Sequence, residues 1–290
     1  MQYAEFDVMP PAIDWVDPQL DGLQSQISAL MAQVDMNYAG IPVARVLIGT
    51  SLEDRLIGGA GNNVLVGGHG ADFFQAGAGR DYIVTDNSNW DGNGDLVYAG
   101  SGSDTVYGGV NDQVFGGLGD DFVFGGSHIS GGRGNDNLYG DYYGGDAKLV
   151  GGGGNDGIFG GFGNNVLYGG AGNDYLLARS GNDTIDGGNG KNTIDAGSGV
   201  NLIQLHGTDT IVFNPVDLYD SAFTKIEGAE LDTHLIIGIL DNSNDVQATE
   251  VGDDLLLSYA DGRGHVLVEN VDLGFFYSNV DFSDWYGGKG

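Results

Sequence analysis

The chain has 290 residues, of which 55 are glycine, 5 proline and none cysteine. Its 41 acidic and 10 basic residues give a formal charge of -31, which repels a phosphate backbone and excludes nucleic acid as a natural partner. No disulfide can staple such a chain, and no apolar run approaches the roughly 18 residues that cross a bilayer, so no transmembrane segment is expected.

Residues 1–48 are expected to form an N-terminal cap. Their start, MQYAEFDVMPPAIDW, has neither the basic opening nor the apolar stretch of a cleaved signal peptide. The spacing predicts an amphipathic helix over 17–36, with Asp17 as N-cap, Pro18 at the first helical position, and Leu20, Leu23, Ile27, Leu30, Met31 and Val34 on one face. Such a face suits the open end of a repeat array, and the absence of Lys and Arg from it argues against an anionic membrane. A short strand at 43–48 follows.

From Gly49 to Val212 the chain is an array of eighteen units, clearest over Gly151 to Gln204 as GGGGNDGIF, GGFGNNVLY, GGAGNDYLL, ARSGNDTID, GGNGKNTID and AGSGVNLIQ. Each unit divides into a six-residue turn and a three-residue strand. The glycines at places one, two and four predict positive φ, which curls the turn until its carbonyls point inward. The carboxylate at place six joins those carbonyls, and a convergence of oxygens suits Ca²⁺, a hard cation with six to eight oxygen ligands. Place eight is a core column: Leu56, Leu65, Phe74, Ile83, Val97, Val106, Val114, Val123, Ile129, Leu138, Leu149, Ile158, Leu167, Leu176, Ile185, Ile194, Ile203 and Ile211. One large inward side chain per strand makes a thin core, so metal binding is expected to contribute to the folding free energy.

This nonapeptide array resembles the RTX, or haemolysin-type calcium-binding, family. The resemblance implies an all-β, right-handed parallel β-roll in which two units make one coil. Strands alternate between two sheets, turns stack along two edges, and each calcium ion lies between one turn and the turn two units later. It also implies export through a type I secretion channel by an uncleaved C-terminal signal, which accounts for the missing leader.

Odd and even units then occupy opposite edges. The even units place Asn63, Asp81, Asp104, Asp121, Asp136, Asp156, Asp174, Asn192 and Asp209 at the calcium position, with five intervals bounded by two aspartates between Asp81 and Asp174. The odd units begin with Asp54, Asp72, Asp95 and Asp112, giving three more, and later offer Asn165, Asp183 and Asn201, weaker because Asn supplies an oxygen without a charge. About 8 to 10 bound Ca²⁺ are expected. Every internal change of unit length falls on the odd edge: TDNSNWDGNGDLVY, GGVNDQVF, GGSHIS and GDYYGGDAKLV. Insertions are tolerated there, and Trp90, His128, Tyr142 and Tyr143 make that edge a candidate contact with a partner. On the even sheet, place nine runs Val66, Val84, Tyr107, Phe124, Tyr139, Phe159 and Leu177, an apolar stripe that calls for a cover, a dimer partner or a sugar ligand.

Residues 213–290 read as a C-terminal cap and probable secretion-signal region. They hold an apolar strand at 234–240 and two alternating runs, DDLLLSYADGRGHVLVENV, joined by Asp261-Gly262-Arg263-Gly264 as a β-hairpin.

Enzyme motifs are missing. None of His69, His128, His206, His234 or His265 is followed by Glu, and no G-x-S-x-G occurs. A regular Thr row for ice binding is missing too. The expected function is that of a secreted, non-enzymatic calcium-binding protein that folds outside the cell and acts through its surfaces, in adhesion, a matrix or host contact, by an extracellular partner or self-association. A calcium-binding and secretion module of a larger RTX enzyme or toxin, and a membrane-active pore former, are the alternatives.

Overall fold

The last three residues of each unit point out, in and out, as the period of two in a strand requires, while the turn glycines end each strand and reverse the chain. In the structure, a computed structural model, this pattern builds a parallel β-solenoid. Described are residues 43–86, 93–140, 145–206, 208–213, 222–229, 234–239, 246–259, 264–272, 274 and 280–284, and all twenty-five of their elements are strands. The chain divides into two units, 1–43 and 44–290, and the described residues belong to the second except for Val43. The helix expected over 17–36, Trp90, Tyr142 and Tyr143 lie outside the described residues.

Even units supply one sheet, from Asn62–Gly68 through Thr210–Phe213, with Val43–Ile48 paired before it; odd units supply the other, from Arg55–Ala60 through Val200–Gln204. All pairings between these strands are parallel and bring the place-eight residues side by side. Val123, Leu138 and Ile158 align on the even sheet, and Val114, Ile129, Leu149 and Leu167 on the odd. Ile129 and Leu149 remain in register although the intervening odd turn is longer than its neighbours. Length changes are thus absorbed in the turn and never reach the sheet.

The place-eight column is the core. Leu56 keeps 8% of its surface, and the other seventeen are fully buried. Alternation turns place one inward as well, and where it is alanine, as at Ala76, Ala99, Ala178 and Ala196, that side chain is also fully buried. Each aliphatic side chain contributes about 1.5–3 kcal/mol by burial. The rest of the cohesion comes from ladder hydrogen bonds and from the turns.

Those turns correct one expectation. In the regular units positive φ falls at places two and four, as at Gly152 (φ 115°) and Gly154 (φ 135°), and not at place one. Glycine at place one answers a different constraint: a Cβ on Gly151 would sit 2.3 Å from Asp156 Oδ2. Place one is kept small to admit the place-six carboxylate of its own turn.

The place-nine stripe is not an open apolar surface. Val66 and Val84 are buried, and Tyr107, Phe124, Tyr139, Phe159 and Leu177 are half-buried. Ring follows ring along the sheet, with centroids 6.4 Å apart for Tyr107 and Phe124, 6.1 Å for Phe124 and Tyr139, and 4.5 Å for the stacked pair Tyr139 and Phe159. Rungs at strand spacing let each ring screen the next.

Beyond Val212 the nonapeptide turn disappears, but the stacking does not. Phe223–Glu227 pairs in parallel with Val200–Gln204, and His265–Val268 with Phe223–Glu227; on the even sheet His234–Ile239 pairs with Thr210–Phe213, and Val280–Asp284 with His234–Ile239. The two alternating runs pair antiparallel, Asp254–Tyr259 on His265–Val268, with Leu255 opposite Val268 and Leu257 opposite Val266 buried on one face. Val246–Val251 adds a further antiparallel strand at that edge of the sheet.

A pair of adjacent substitutions tests the turn geometry. A Cβ on Gly152 would lie 2.2 Å from the Gly132 carbonyl at φ 115°, whereas one on Gly153 would meet nothing within 4 Å. Thermal melts in saturating calcium are expected to show Gly152→Ala losing more than about 1 kcal/mol and Gly153→Ala staying within about 0.5 kcal/mol of the parent.

Candidate metal-binding edges

Place six ends each turn just before its strand, so its side chain is directed back into the curl of glycine carbonyls. Along the even edge each place-six oxygen is tied to the rung before it. The backbone N–H of Asn63 donates to Asp81 Oδ1 at 2.6 Å, Asp81 to Asp104 at 2.7 Å, Asp104 to Asp121, Asp121 to Asp136 and Asp136 to Asp156 at 2.8 Å each, and Asp156 to Asp174 at 2.9 Å. Asp174 and Asn192 continue the series to Asn192 and Asp209, both at 2.9 Å. All nine expected even-edge residues therefore stand in one continuous row, and all are buried.

The second oxygen is the informative one. Oδ2 of Asp81, Asp104, Asp121, Asp136, Asp156, Asp174 and Asp209 is buried with no hydrogen-bond partner among the described residues. In the turns of Asp121, Asp136, Asp156 and Asp174 it stands over the place-one glycine of its own turn and close to the next even turn: the spot where Gly116 would carry a Cβ is 2.4 Å from Asp121 Oδ2 and 2.7 Å from the Gly131 carbonyl. A buried charged oxygen without a donor is strongly unfavourable, and oxygens without hydrogens that face one another fit a hard cation. The donor set of the even edge passes that test.

Burial dominates the protonation of these groups. It raises Asp104 to about 7, Asp121 to about 8, and Asp136 and Asp174 to about 6, against the backbone hydrogen bonds, which pull the other way; carboxylates on nearby rungs add to the rise. Asp81, Asp156 and Asp209 are raised by the same cause.

The odd edge falls into two stretches. In the first, Asp54, Asp72 and Asp95 donate their backbone N–H groups to Asp72, Asp95 and Asp112 at 2.8, 2.6 and 2.8 Å. Its two ends carry internal donors. Asp54 Oδ2 accepts from the Thr50 backbone N–H and hydroxyl at 2.5 and 2.8 Å, and Asp112 Oδ2 from the Thr85 hydroxyl and Gly109 N–H at 2.6 Å each. In the irregular middle, where Ser127 and Ala147 stand at place six, the row breaks: the Asp112 N–H donates to the Gly109 carbonyl, and the Ser127 N–H to the Asp112 backbone carbonyl. The row resumes as Ala147 to Asn165 at 3.0 Å, Asn165 to Asp183 at 2.7 Å and Asp183 to Asn201 at 2.9 Å. Burial raises Asp183 to about 7, and its Oδ2 has no hydrogen-bond partner among the described residues.

Two features escaped the sequence reading. Asp86, at place two of the long odd unit, brings a carboxylate oxygen to Asp95 and Asp112, with all three ligand atoms within 4.8 Å of one another. A second row runs along place five: Asn135 N–H donates to Asp120 Oδ1, Asn155 to Asn135 and Asn173 to Asn155, each at 2.7 Å, and Lys191 to Asn173 at 2.9 Å. Its direction opposes that of place six, since here the later rung donates to the earlier side chain. The recurrence of Asn or Asp at place five was its visible signal.

Two sheets of parallel strands joined by carboxylate-bearing glycine turns define a calcium-type β-roll. The sequence agrees with that class: the model of the RTX calcium-binding nonapeptide repeat (4 copies) matches residues 48–83, 91–110, 111–127, 128–142, 143–176 and 168–203. The chain belongs to this RTX calcium-binding repeat family, and calcium is its ligand. Among curated proteins no sequence match is found. Of solved structures, the AlgE6R3 subunit of the Azotobacter vinelandii mannuronan C5-epimerase is 21% identical, covering 53% of this chain and 89% of its own, with a TM-score of 0.24. The extracellular lipase LipA of Serratia marcescens is 19% identical, also with a TM-score of 0.24, covering 86% of this chain, which spans 42% of that lipase. Likenesses this loose add nothing to the fold, which stands on strand register and the repeat.

The raised carboxylates fix a pH dependence. An unfolded aspartate releases its proton near 3.8, whereas these groups keep theirs to between about 6 and 8, so the folded metal-free chain binds more protons across that window. Stability without metal therefore falls as pH rises from about 4 to 8. In chelator, β-signal by circular dichroism is expected to grow as pH is lowered from 8 to 5, and in saturating calcium the trend reverses because protons compete for the same oxygens. A metal-free β-signal that grows with pH would contradict the burial of these carboxylates.

Proposed function

We propose that this is a secreted, non-enzymatic calcium-binding protein whose roll folds when it meets extracellular calcium and then acts through its surfaces on an extracellular partner or on a second copy of itself. The observation that carries the reading is the row of buried Oδ2 atoms without donors along the even edge. At cytosolic calcium, sites of extracellular affinity, about 10⁻⁴ to 10⁻³ M, stay empty, and a chain of formal charge -31 repels itself. At millimolar calcium the ion supplies positive charge where the carboxylates face one another, and its binding free energy becomes folding free energy.

The residues that would hold the metal are Asp81, Asp104, Asp121, Asp136, Asp156, Asp174 and Asp209 on the even edge, and Asp54, Asp72, Asp95, Asp112 and Asp183 on the odd, with glycine carbonyls of the turns; Asn63, Asn192 and Asn165 continue the same rows without a carboxylate. About 8 to 10 ions fit this set. No helix among the described residues is long and apolar enough to cross a membrane. Export by a type I route, with its signal in the C-terminal region, is part of the same proposal and is tested by secretion of truncated chains.

Far-UV circular dichroism during a calcium titration from a chelated start, with sedimentation velocity at both ends, tests the core of this reading. A cooperative gain of β-signal with compaction is expected, and a signal that does not respond to calcium would sink it. Position along the edge gives a sharper test. Asp121 accepts from Asp104 and donates to Asp136, so it belongs to two intervals, whereas Asp54 stands at the start of its row. Asp121→Ala is expected to raise the calcium midpoint severalfold more than Asp54→Ala, and equal midpoints would refute the sharing of ligands between adjacent sites.

A further inference from the structure

Not every turn fits the cation. Place six is asparagine at 63, 165, 192 and 201, and there the atom that replaces the orphaned Oδ2 is a donating amide nitrogen. Asn165 Nδ2 donates to the Gly163 carbonyl at 3.0 Å, Asn192 Nδ2 to Gly188 at 3.4 Å, and Asn201 Nδ2 to Gly197 at 3.3 Å and Ala196 at 3.4 Å. Asn63 Nδ2 donates to Gly61 at 2.6 Å, Ala76 at 3.3 Å and Asp81 Oδ1 at 2.9 Å. The substitution is positional as well as chemical. A Cβ on Gly187 would lie 2.8 Å from Asn192 Nδ2 and one on Gly160 2.9 Å from Asn165 Nδ2, where the aspartate turns present Oδ2 to Gly116, Gly151 and Gly169.

The amide orientation is fixed by its other end. Oδ1 of Asn165, Asn192 and Asn201 accepts the backbone N–H of Ala147, Asp174 and Asp183 at 3.0, 2.9 and 2.9 Å. Turning the amide over would set two donors against each other at that contact. In the turns of Asn165, Asn192 and Asn201 a carbonyl that a cation would need is thus already engaged by an N–H group, and an N–H donor stands where the cation would be; Asn63, whose Oδ1 is buried with no hydrogen-bond partner among the described residues, is set apart from these three.

We infer that these three asparagine turns take no calcium and are closed by their own side-chain amide, which makes them metal-independent rungs within a metal-dependent roll. The inference rests on place six holding the cation in the aspartate turns. Its consequence is a division of labour along the chain: calcium is confined to intervals bounded by aspartates, and the odd edge from Asn165 to Asn201 holds its register without it. Asp183 alone in that stretch keeps an orphaned oxygen.

The test counts bound calcium on the full chain, by equilibrium dialysis and by native mass spectrometry at saturating calcium. Asn201→Asp creates an aspartate-bounded interval with Asp183 and is expected to bind one ion more than the parent. Asn165→Ala is expected to bind the same number as the parent while its calcium-loaded state shows faster hydrogen exchange at the amide of Ala147, which loses its acceptor. An unchanged count in Asn201→Asp, or a lost ion in Asn165→Ala, overturns the inference, because either result means that asparagine turns are calcium sites. A parent chain that binds no calcium at all overturns the underlying metal-coupled reading, and the inference with it, and is told apart by its zero count before any substitution is made.

Discussion

Two oxygens of one buried carboxylate are treated differently by this fold, and most of its behaviour depends on that difference. One oxygen accepts a hydrogen bond from the preceding rung, as Asp136 Oδ1 does from Asp121, and locks the register of the turn. The other is buried where no donor reaches it. A core one side chain wide offers little beyond its aliphatic column, so the state of that second oxygen weighs heavily on whether the roll stands. A proton satisfies it at acid pH and a divalent cation at neutral pH. The same charge that keeps the unfolded chain expanded becomes, once neutralised, the material of the turns.

The two edges are not copies of each other. On the even edge the backbone of the turns is zipped as well, with Gly134 donating to the Gly153 carbonyl and Gly154 to that of Ala171, both at 2.8 Å. Place-five and place-six side chains run their hydrogen bonds in opposite directions along the same turns, so each turn is gripped from above and below. The odd edge lacks this continuity in its middle, where unit length varies. Rigidity on one edge lets the other accept insertions, because the register of Ile129 and Leu149 is set by the sheet and not by the loop between them.

Much of this was legible in the sequence because the repeat states it many times. The place-eight residues are all in the core, and parity placed each aspartate on its edge, since both depend on counting residues through turns of known length. What was missed followed from reading glycine as a single signal. Place one is small to admit Asp156 or its counterpart, a contact across five residues that periodicity does not express. The strands Phe223–Glu227 and Val280–Asp284 carry no turn signature, so the ladder beyond Val212 could not be seen by following turns. Asparagine at place six looked like a weakened aspartate, but its nitrogen, invisible to a count of charges, reverses its role.

The alternation of units between two edges also restricts how such a chain can change in length. Removing one unit would carry every later turn to the opposite edge, setting Asp136 and its successors against partners of the other row and placing the variable loops where the turns are zipped. Removing two adjacent units preserves the side of every remaining turn. The length of the roll is therefore quantised in whole coils of two units: growth or loss by a coil keeps the order of its rows, while a single unit gained or lost exchanges the two edges for all that follows.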